Sequence, residues 1–151
     1  MAEVEVDNRS SVAVDPEPLV AQASFILERL GLHPDVELAI SLVDVEEIAE
    51  LHLRWMDLPG PTDVLSFPMD ELRAPGPGEA PEPGMLGDVV ICPQVAAEQG
   101  EVAGHALPGE LELLLTHGIL HLLGHDHAEP EEHAVMFGLQ DHLLAAWRGR
   151  G

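Results

Sequence analysis

The feature that most constrains the fold is a very apolar segment in the last third of the chain, which carries regularly spaced histidines. Residues 111–123 read LELLLTHGILHLL, and the sequence continues GHDH to residue 127. Its leucines and isoleucine fall on nearly every side of a helix, which predicts a helix buried on most of its surface. His117 and His121 stand one helical turn apart and share a face of that helix. The rest of the chain must therefore surround this helix and accommodate two polar rings.

A metal ion would satisfy these two histidines together. Burying an imidazole costs free energy unless the ring finds a partner. Gly124 permits a turn after the helix, which brings His127 back toward His117 and His121. Three neutral imidazoles leave a fourth zinc position open, which is typical of catalytic sites. We therefore predict one Zn²⁺ ion held by His117, His121 and His127, although nickel, copper and iron also accept three histidines.

The spacing H-x3-H-x2-G-x2-H is also that of zincin-like zinc proteases. Those enzymes use a glutamate directly after the first histidine as general base, and here that position is Gly118. A hydrolase acting on peptides is therefore disfavoured. Glycine inside a helix costs roughly 1 kcal/mol relative to alanine, so Gly118 predicts either close approach of a substrate or ligand, or tight packing of the helix.

The composition excludes several classes of protein. The chain has 151 residues, about one domain, with 28 acidic residues against six basic ones, all arginine, and a formal net charge of -22. Such a surface disfavours DNA and non-specific nucleic-acid binding, since that depends on basic side chains, although a bound metal ion is a strong local cation. No apolar run is long enough to span a membrane, no secretory signal pattern is present, and Cys92 has no second cysteine to pair with. We expect a cytoplasmic protein with no membrane partner.

Periodicity and turn residues predict an α+β (mixed α/β) fold for a single domain over residues 1–151. We expect a small, mostly four-stranded sheet covered on one face by about five helices. Residues 70–84 are rich in proline, glycine and glutamate, and they predict a mobile acidic surface loop. The expected strands are 3–7, 36–43, 62–68 and 88–92, and the expected helices are 16–32, 45–55, 93–99, one from residue 108, and 129–147.

Three segments resemble the YbeY family of bacterial endoribonucleases. They are PTDVLSFP at residues 61–68, GDVVICP at 87–93, and ELELLLTHGILHLLGHDH at 110–127, followed by Met136. The resemblance covers most of the chain from about Val36. It implies a single-strand-specific, zinc-dependent endoribonuclease that acts in 16S rRNA maturation and ribosome quality control. The three histidines would hold the zinc, and the partners would be single-stranded rRNA with ribosomal particles or ribosomal proteins.

Two positions depart from the family pattern. His125 stands where the family usually has tyrosine, as either a tolerated replacement or a fourth imidazole near the metal. Trp55 and Met56 stand where the family commonly has Tyr-Arg, and that arginine is thought to assist phosphate chemistry. Arg54 is a candidate substitute. Whether Met56 lowers or abolishes nuclease activity stays open.

Thr62, Asp63 and Ser66 are the candidate catalytic residues apart from the metal ligands. They either line a cleft beside the metal with two hydroxyls and a carboxylate, or simply form a strand and its capping turn. Asp126 is either an acceptor that orients a ligand histidine or an exposed turn residue. The alternative function is a ribosome-assembly binding factor with a structural zinc and little or no nuclease activity, which the acidic surface and the missing arginine favour.

Overall fold

The fold combines one mixed sheet with five helices, as the sequence predicts. It is described by a computed structural model covering residues 2–150. The strands are β1 (Glu3–Asn8), β2 (Glu37–Leu42), β3 (Val64–Pro68) and β4 (Met85–Ile91). The helices are α1 (Pro16–Arg29), α2 (Val45–Met56), α3 (Pro93–Ala103), α4 (Leu107–Leu122) and α5 (Pro130–Arg148).

The strands lie in the order β1-β2-β4-β3. β1, β2 and β4 run parallel, and β3 pairs antiparallel with β4 at the edge of the sheet. Parallel neighbours need a crossover connection, and α1 supplies the one between β1 and β2. The sheet order places side by side the two strands that carry the first two family motifs, β3 and β4.

The main core lies between the sheet and α1 with α4. Alternate residues of β2 and β4, among them Ile40 and Val89, point into it and meet Leu115 and Ile119 of α4. All four side chains are essentially inaccessible to solvent. The prediction of a deeply buried helix is confirmed, because α4 presents apolar side chains to the sheet, to α1 and to α5.

The expectation that helices cover only one face of the sheet is wrong. On the opposite face, Ile48 of α2 packs with Leu65 of β3 and Val90 of β4 in a second, smaller cluster. The physical reason is that β3 and β4 are largely apolar along their length. Successive residues point to opposite faces of the sheet, so apolar side chains on both faces must be covered by helices. The helix α2 therefore lies across the sheet from α4.

Local capping explains where several elements begin and end. The carboxylate of Asp15 accepts a hydrogen bond from the backbone N–H of Glu17 at 3.1 Å and so caps α1. Asp44 occupies the N-cap position of α2, but its carboxylate accepts from Ser11 and Gln94 instead of from its own helix. The helix α3 runs four residues beyond the expected Gln99 and β4 begins three residues before Asp88, which is the usual uncertainty of element boundaries.

Residues 70–84 form a connection without helix or strand, as expected. Both ends are tethered: Leu72 enters the main core, and the Asp70 carboxylate accepts from the backbone N–H of Met85 at 2.7 Å. Whether the middle of this loop moves stays a prediction. Within residues 2–150, no helix combines the length and the hydropathy that a membrane crossing requires.

Candidate metal centre

Three histidines converge at the C-terminal end of α4. The ring nitrogens that His117, His121 and His127 offer all lie within 4.8 Å of one another. The Nε2 atoms of His117 and His121 are 3.1 Å apart. Two imidazole nitrogens on a tetrahedral zinc ion are about 3.3 Å apart, since each Zn–N bond is about 2.0–2.1 Å long. The donor set therefore fits a metal ion.

The turn after α4 delivers the third histidine. Gly124 has a φ of 93°, in the left-handed region that favours glycine. Its N–H donates to the carbonyl of His121, and the N–H of His125 donates to that of Leu120, both at 3.0 Å. These two bonds form the Schellman arrangement that ends many helices. The chain then doubles back, which places His127 beside the helical pair.

Burial differs among the three rings. His117 and His121 are half-buried, whereas His127 is exposed. Burial lowers the pKa of His121 below its usual value, and the charges of His117 and His127 act in the same direction. The ring of His121 is therefore neutral at pH 7, which is the form that binds metal.

A glutamine that the sequence reasoning missed contacts the first histidine. The side-chain oxygen Oε1 of Gln140, on α5, lies 2.8 Å from Nδ1 of His117. Asp126, which was considered for such a role, accepts instead from the backbone N–H of His127 at 2.7 Å. In the sequence, Gln140 stands out only as a polar residue on the apolar side of an amphipathic helix. That pattern does not indicate which residue Gln140 contacts.

Gly118 faces the sheet. A Cβ placed on Gly118 would lie 2.7 Å from Cγ1 of Val89 and 3.3 Å from Oγ of Ser66. Of the two explanations considered, tight helix packing is therefore the one present. Ser66 lies directly against the metal-site helix, because its hydroxyl donates to the carbonyl of Gly118 at 2.9 Å.

The other two candidate catalytic residues stand just before β3. The hydroxyl of Thr62 donates to Oδ1 of Asp63 at 3.3 Å, and the same oxygen accepts from the backbone N–H of Val64 at 2.7 Å. Among the hydrogen bonds of residues 2–150, none joins Thr62 or Asp63 to a histidine. These bonds are consistent with a cap at the start of the strand, and they leave Oδ2 of Asp63 unengaged.

The cation beside the histidine turn is Arg73, from the 70–84 loop. A Cβ placed on Gly124 would lie 2.5 Å from the guanidinium carbon of Arg73, so the guanidinium rests on the glycine. Its Nη1 donates to the carbonyls of Glu71 and Leu72, both at 3.1 Å. In the described part of the chain, Arg73 forms no ion pair with a carboxylate.

Arg54 contacts its neighbour Trp55, and His125 lies outside the three-histidine cluster. The guanidinium of Arg54 lies over the ring of Trp55. The ring of Trp55 in turn contacts Phe67, which packs in the smaller cluster on the sheet face opposite α4. His125 is not a member of the three-histidine cluster. Burial lowers the pKa of its ring, and the charge of Arg73 lowers it further.

Comparison with known proteins gives concordant matches over nearly the whole chain. A family model described as Endoribonuclease YbeY matches residues 5–148. A protein of Thermobifida fusca is 62% identical over 145 residues, covering 96% of this chain and 94% of the relative. A Rhodococcus opacus protein is 58% identical (95% and 81% covered), and a Nocardioides protein is 58% identical (97% and 99% covered). All three carry the name Endoribonuclease YbeY.

The fold also matches a solved structure. The solution structure of TM1509 from Thermotoga maritima has a TM-score of 0.65 and 28% identity. The match covers 99% of this chain and 91% of that one.

Proposed function

This chain belongs to the YbeY family of endoribonucleases, and we propose that it hydrolyses single-stranded rRNA with one zinc ion held by His117, His121 and His127. It is a nuclease, an enzyme that cuts phosphodiester bonds within RNA. The observation that carries the metal assignment is the convergence of three imidazole nitrogens with one ring, His127, open to solvent. A zinc ion bound there supplies Lewis acidity toward a phosphate oxygen and lowers the pKa of water toward about 7.

Arg73 is our candidate for the residue that binds the substrate phosphate. A guanidinium is always charged and can donate two parallel hydrogen bonds to phosphate oxygens. Among the hydrogen bonds of residues 2–150, those of the Arg73 guanidinium engage only Nη1, with two backbone carbonyls, and the group rests on the turn that delivers His127. This placement supports Arg73 as the cation that compensates for Met56.

The residues before and along β3 complete the proposed cleft. Ser66 holds α4 against β3 through its bond to the Gly118 carbonyl, and thus positions the helix next to His117. Asp63 keeps Oδ2 free of the strand cap, so this is the atom at which it would hold a proton or a ribose hydroxyl. Thr62 orients that carboxylate through its own hydroxyl.

We propose that the substrate is 16S rRNA within cytoplasmic ribosomal particles. A net charge of -22 favours docking on basic ribosomal proteins, which would bring the acidic enzyme to an RNA that otherwise repels it. Docking of this kind is compatible with RNA cleavage, so the negative charge does not favour the binding-factor alternative over the nuclease.

The test is cleavage of labelled single-stranded RNA and of a matched duplex by purified protein, with and without a chelator. We expect chelator-sensitive cleavage of the single strand alone and none by His121→Ala. Elemental analysis should find one zinc per chain, lost in His117→Ala. An unchanged zinc content in His117→Ala would contradict the assignment of the metal site to these histidines. Cleavage that survives chelation would point to a contaminating nuclease.

The role of Arg73 has a separate test. We expect Arg73→Ala to raise the KM for single-stranded RNA roughly 10- to 100-fold, as loss of charged hydrogen bonds worth about 1.5–3 kcal/mol implies. Its zinc content should not change. Arg29→Ala is the control for loss of charge, because the guanidinium of Arg29 lies over Phe25 on α1, whereas that of Arg73 lies on Gly124. Equal effects of the two substitutions would mean that Arg73 acts only through net charge.

A further inference from the structure

A buried amide reaches the metal-site helix from α5. Gln140 is only 4% exposed, and its neighbours one turn away on that helix, Met136 and Leu143, belong to the main core. Its Oε1 lies 2.8 Å from Nδ1 of His117, across 23 residues of sequence. The packing of α5 therefore fixes where this oxygen lies.

The chemistry of the two groups sets the direction of this hydrogen bond. The side-chain oxygen of glutamine can only accept, so Nδ1 of His117 must carry the proton. In the neutral ring, Nε2 then keeps its lone pair. Nε2 is the nitrogen of His117 that faces His121, at 3.1 Å. The tautomer that Gln140 selects is thus the one in which His117 can bind a metal.

We infer that Gln140 is a positioning residue that fixes the tautomer and ring orientation of His117 for metal binding, an inference that rests on the proposed function. A histidine without such a partner divides its population between two tautomers and several ring orientations. A metal must then select one of them, at a cost in affinity. The bond also links the metal centre to the docking of α5 on α4.

A merely structural role for Gln140, tying α5 to α4, is separable because the chain contains a second buried glutamine. Gln22 on α1 is 1% exposed and also reaches α4. Its Nε2 donates to the carbonyl of Glu112 at 2.8 Å and to the hydroxyl of Thr116 at 2.9 Å. Among the hydrogen bonds of residues 2–150, none joins Gln22 to a histidine, so Gln22 matches Gln140 in burial and in bonding to α4 but not in the proposed role.

The experiment measures zinc affinity by chelator competition in the wild type, Gln140→Leu, Gln140→Glu and Gln22→Leu. We expect Gln140→Leu to bind zinc about 10- to 100-fold more weakly. Gln140→Glu should stay within a few-fold of the wild type, because a carboxylate oxygen also accepts from Nδ1. Gln22→Leu should keep wild-type affinity while losing stability to urea. Wild-type affinity in Gln140→Leu, or an equal loss in Gln22→Leu, would overturn the inference.

A second measurement needs no variant. Nitrogen chemical shifts of the histidine rings in zinc-free wild-type protein should show His117 protonated on Nδ1. Protonation on Nε2 would mean that the amide donates to the ring, which excludes the role proposed here. If the wild-type protein bound no zinc, the proposed function itself would be wrong. If the wild type bound zinc and Gln140→Leu bound it with the same affinity, only this inference would be wrong.

Discussion

Gly118 illustrates how one residue beside a proposed metal ligand can serve packing alone. It stands next to His117, where zinc proteases place their catalytic glutamate, yet its Cα faces Val89 and Ser66 of the sheet. Any side chain there would push α4 away from β4 and β3. The absence of a side chain at Gly118 thus allows α4 to lie close to the sheet.

We expect Gly118→Ala to destabilise the fold by about 1 kcal/mol. Crowding against the stiff Val89 side chain costs roughly 1–3 kcal/mol, and helix propensity returns about 1 kcal/mol. Urea unfolding measures the difference. Gly138→Ala on α5 is the control, because nothing lies within 4 Å of its added Cβ, and it should raise stability by about 0.5–1 kcal/mol. A gain in both variants would show that α4 has room to shift.

The stability of the metal-free protein should fall in acid through His121. Burial, followed by the charge of His117, lowers the pKa of His121 in the folded state below the value of about 6.5 that it has when unfolded. Above pH 6.5 both states are neutral at this ring. Below that pH the unfolded state binds a proton that the folded state excludes, so stability is lost as pH falls.

Urea midpoints of chelator-treated protein between pH 7.5 and 5.5 test this effect. The wild type should lose up to about 1.4 kcal/mol per pH unit through this ring, and His121→Asn should lose less. His142→Asn controls for removal of an exposed imidazole on α5. If His121→Asn shows the wild-type slope, another group carries the pH dependence.

At the scale of elements, α4 and its Schellman turn supply the three histidines, while α5 and the 70–84 loop supply the groups around them. Gln140 comes from α5 and Arg73 from the loop. The loop is held at Leu72 and Asp70, and its middle has neither helix nor strand. Arg73 therefore lies in the anchored part of the loop, between Leu72 and Ala74, which both pack against the main core.

Limited proteolysis tests whether the middle of the loop moves. We expect a glutamate-specific protease to cut first after Glu79, since this residue is exposed, lies outside regular structure and is not followed by proline. Mass spectrometry of the first fragments identifies the site. First cuts after Glu131 or Glu132, at the start of α5, would contradict the prediction that this loop is the most mobile segment.

At the scale of the whole molecule, the negative net charge of the protein repels the negatively charged RNA substrate. The formal net charge is -22. Two of the six arginines, Arg9 and Arg148, are paired with carboxylates. Few positive groups are therefore available to displace counterions from RNA. Under the proposed function, affinity for RNA would come from the metal centre, from Arg73 and from docking on a partner.

Binding of single-stranded RNA should consequently depend weakly on salt. One or two phosphate contacts on a single strand predict a loss of less than about tenfold between 50 and 200 mM salt, against roughly a thousandfold or more for a basic nucleic-acid-binding protein. Fluorescence anisotropy with His121→Ala, which should not cut, measures the slope. A loss above about a hundredfold would reveal an extended basic surface that the arginine positions do not suggest.

The sequence alone was sufficient for the features that depend on local periodicity. Histidines four apart on an apolar helix must share a face, and a glycine three residues later permits the turn that returns His127. The apolar runs likewise predicted all four strands and all five helices. These features survive in any tertiary arrangement, because they are set by backbone geometry within a few residues.

Only the tertiary structure decided which remote residues complete the site. Gln140 meets His117 because α5 docks on α4, Arg73 meets Gly124 because Leu72 anchors its loop, and Gly118 meets Val89 because β4 lies beneath the helix. The placement of α2 on the opposite face was missed for the same reason. Contacts of this kind depend on how whole elements pack, and no spacing along the chain encodes them.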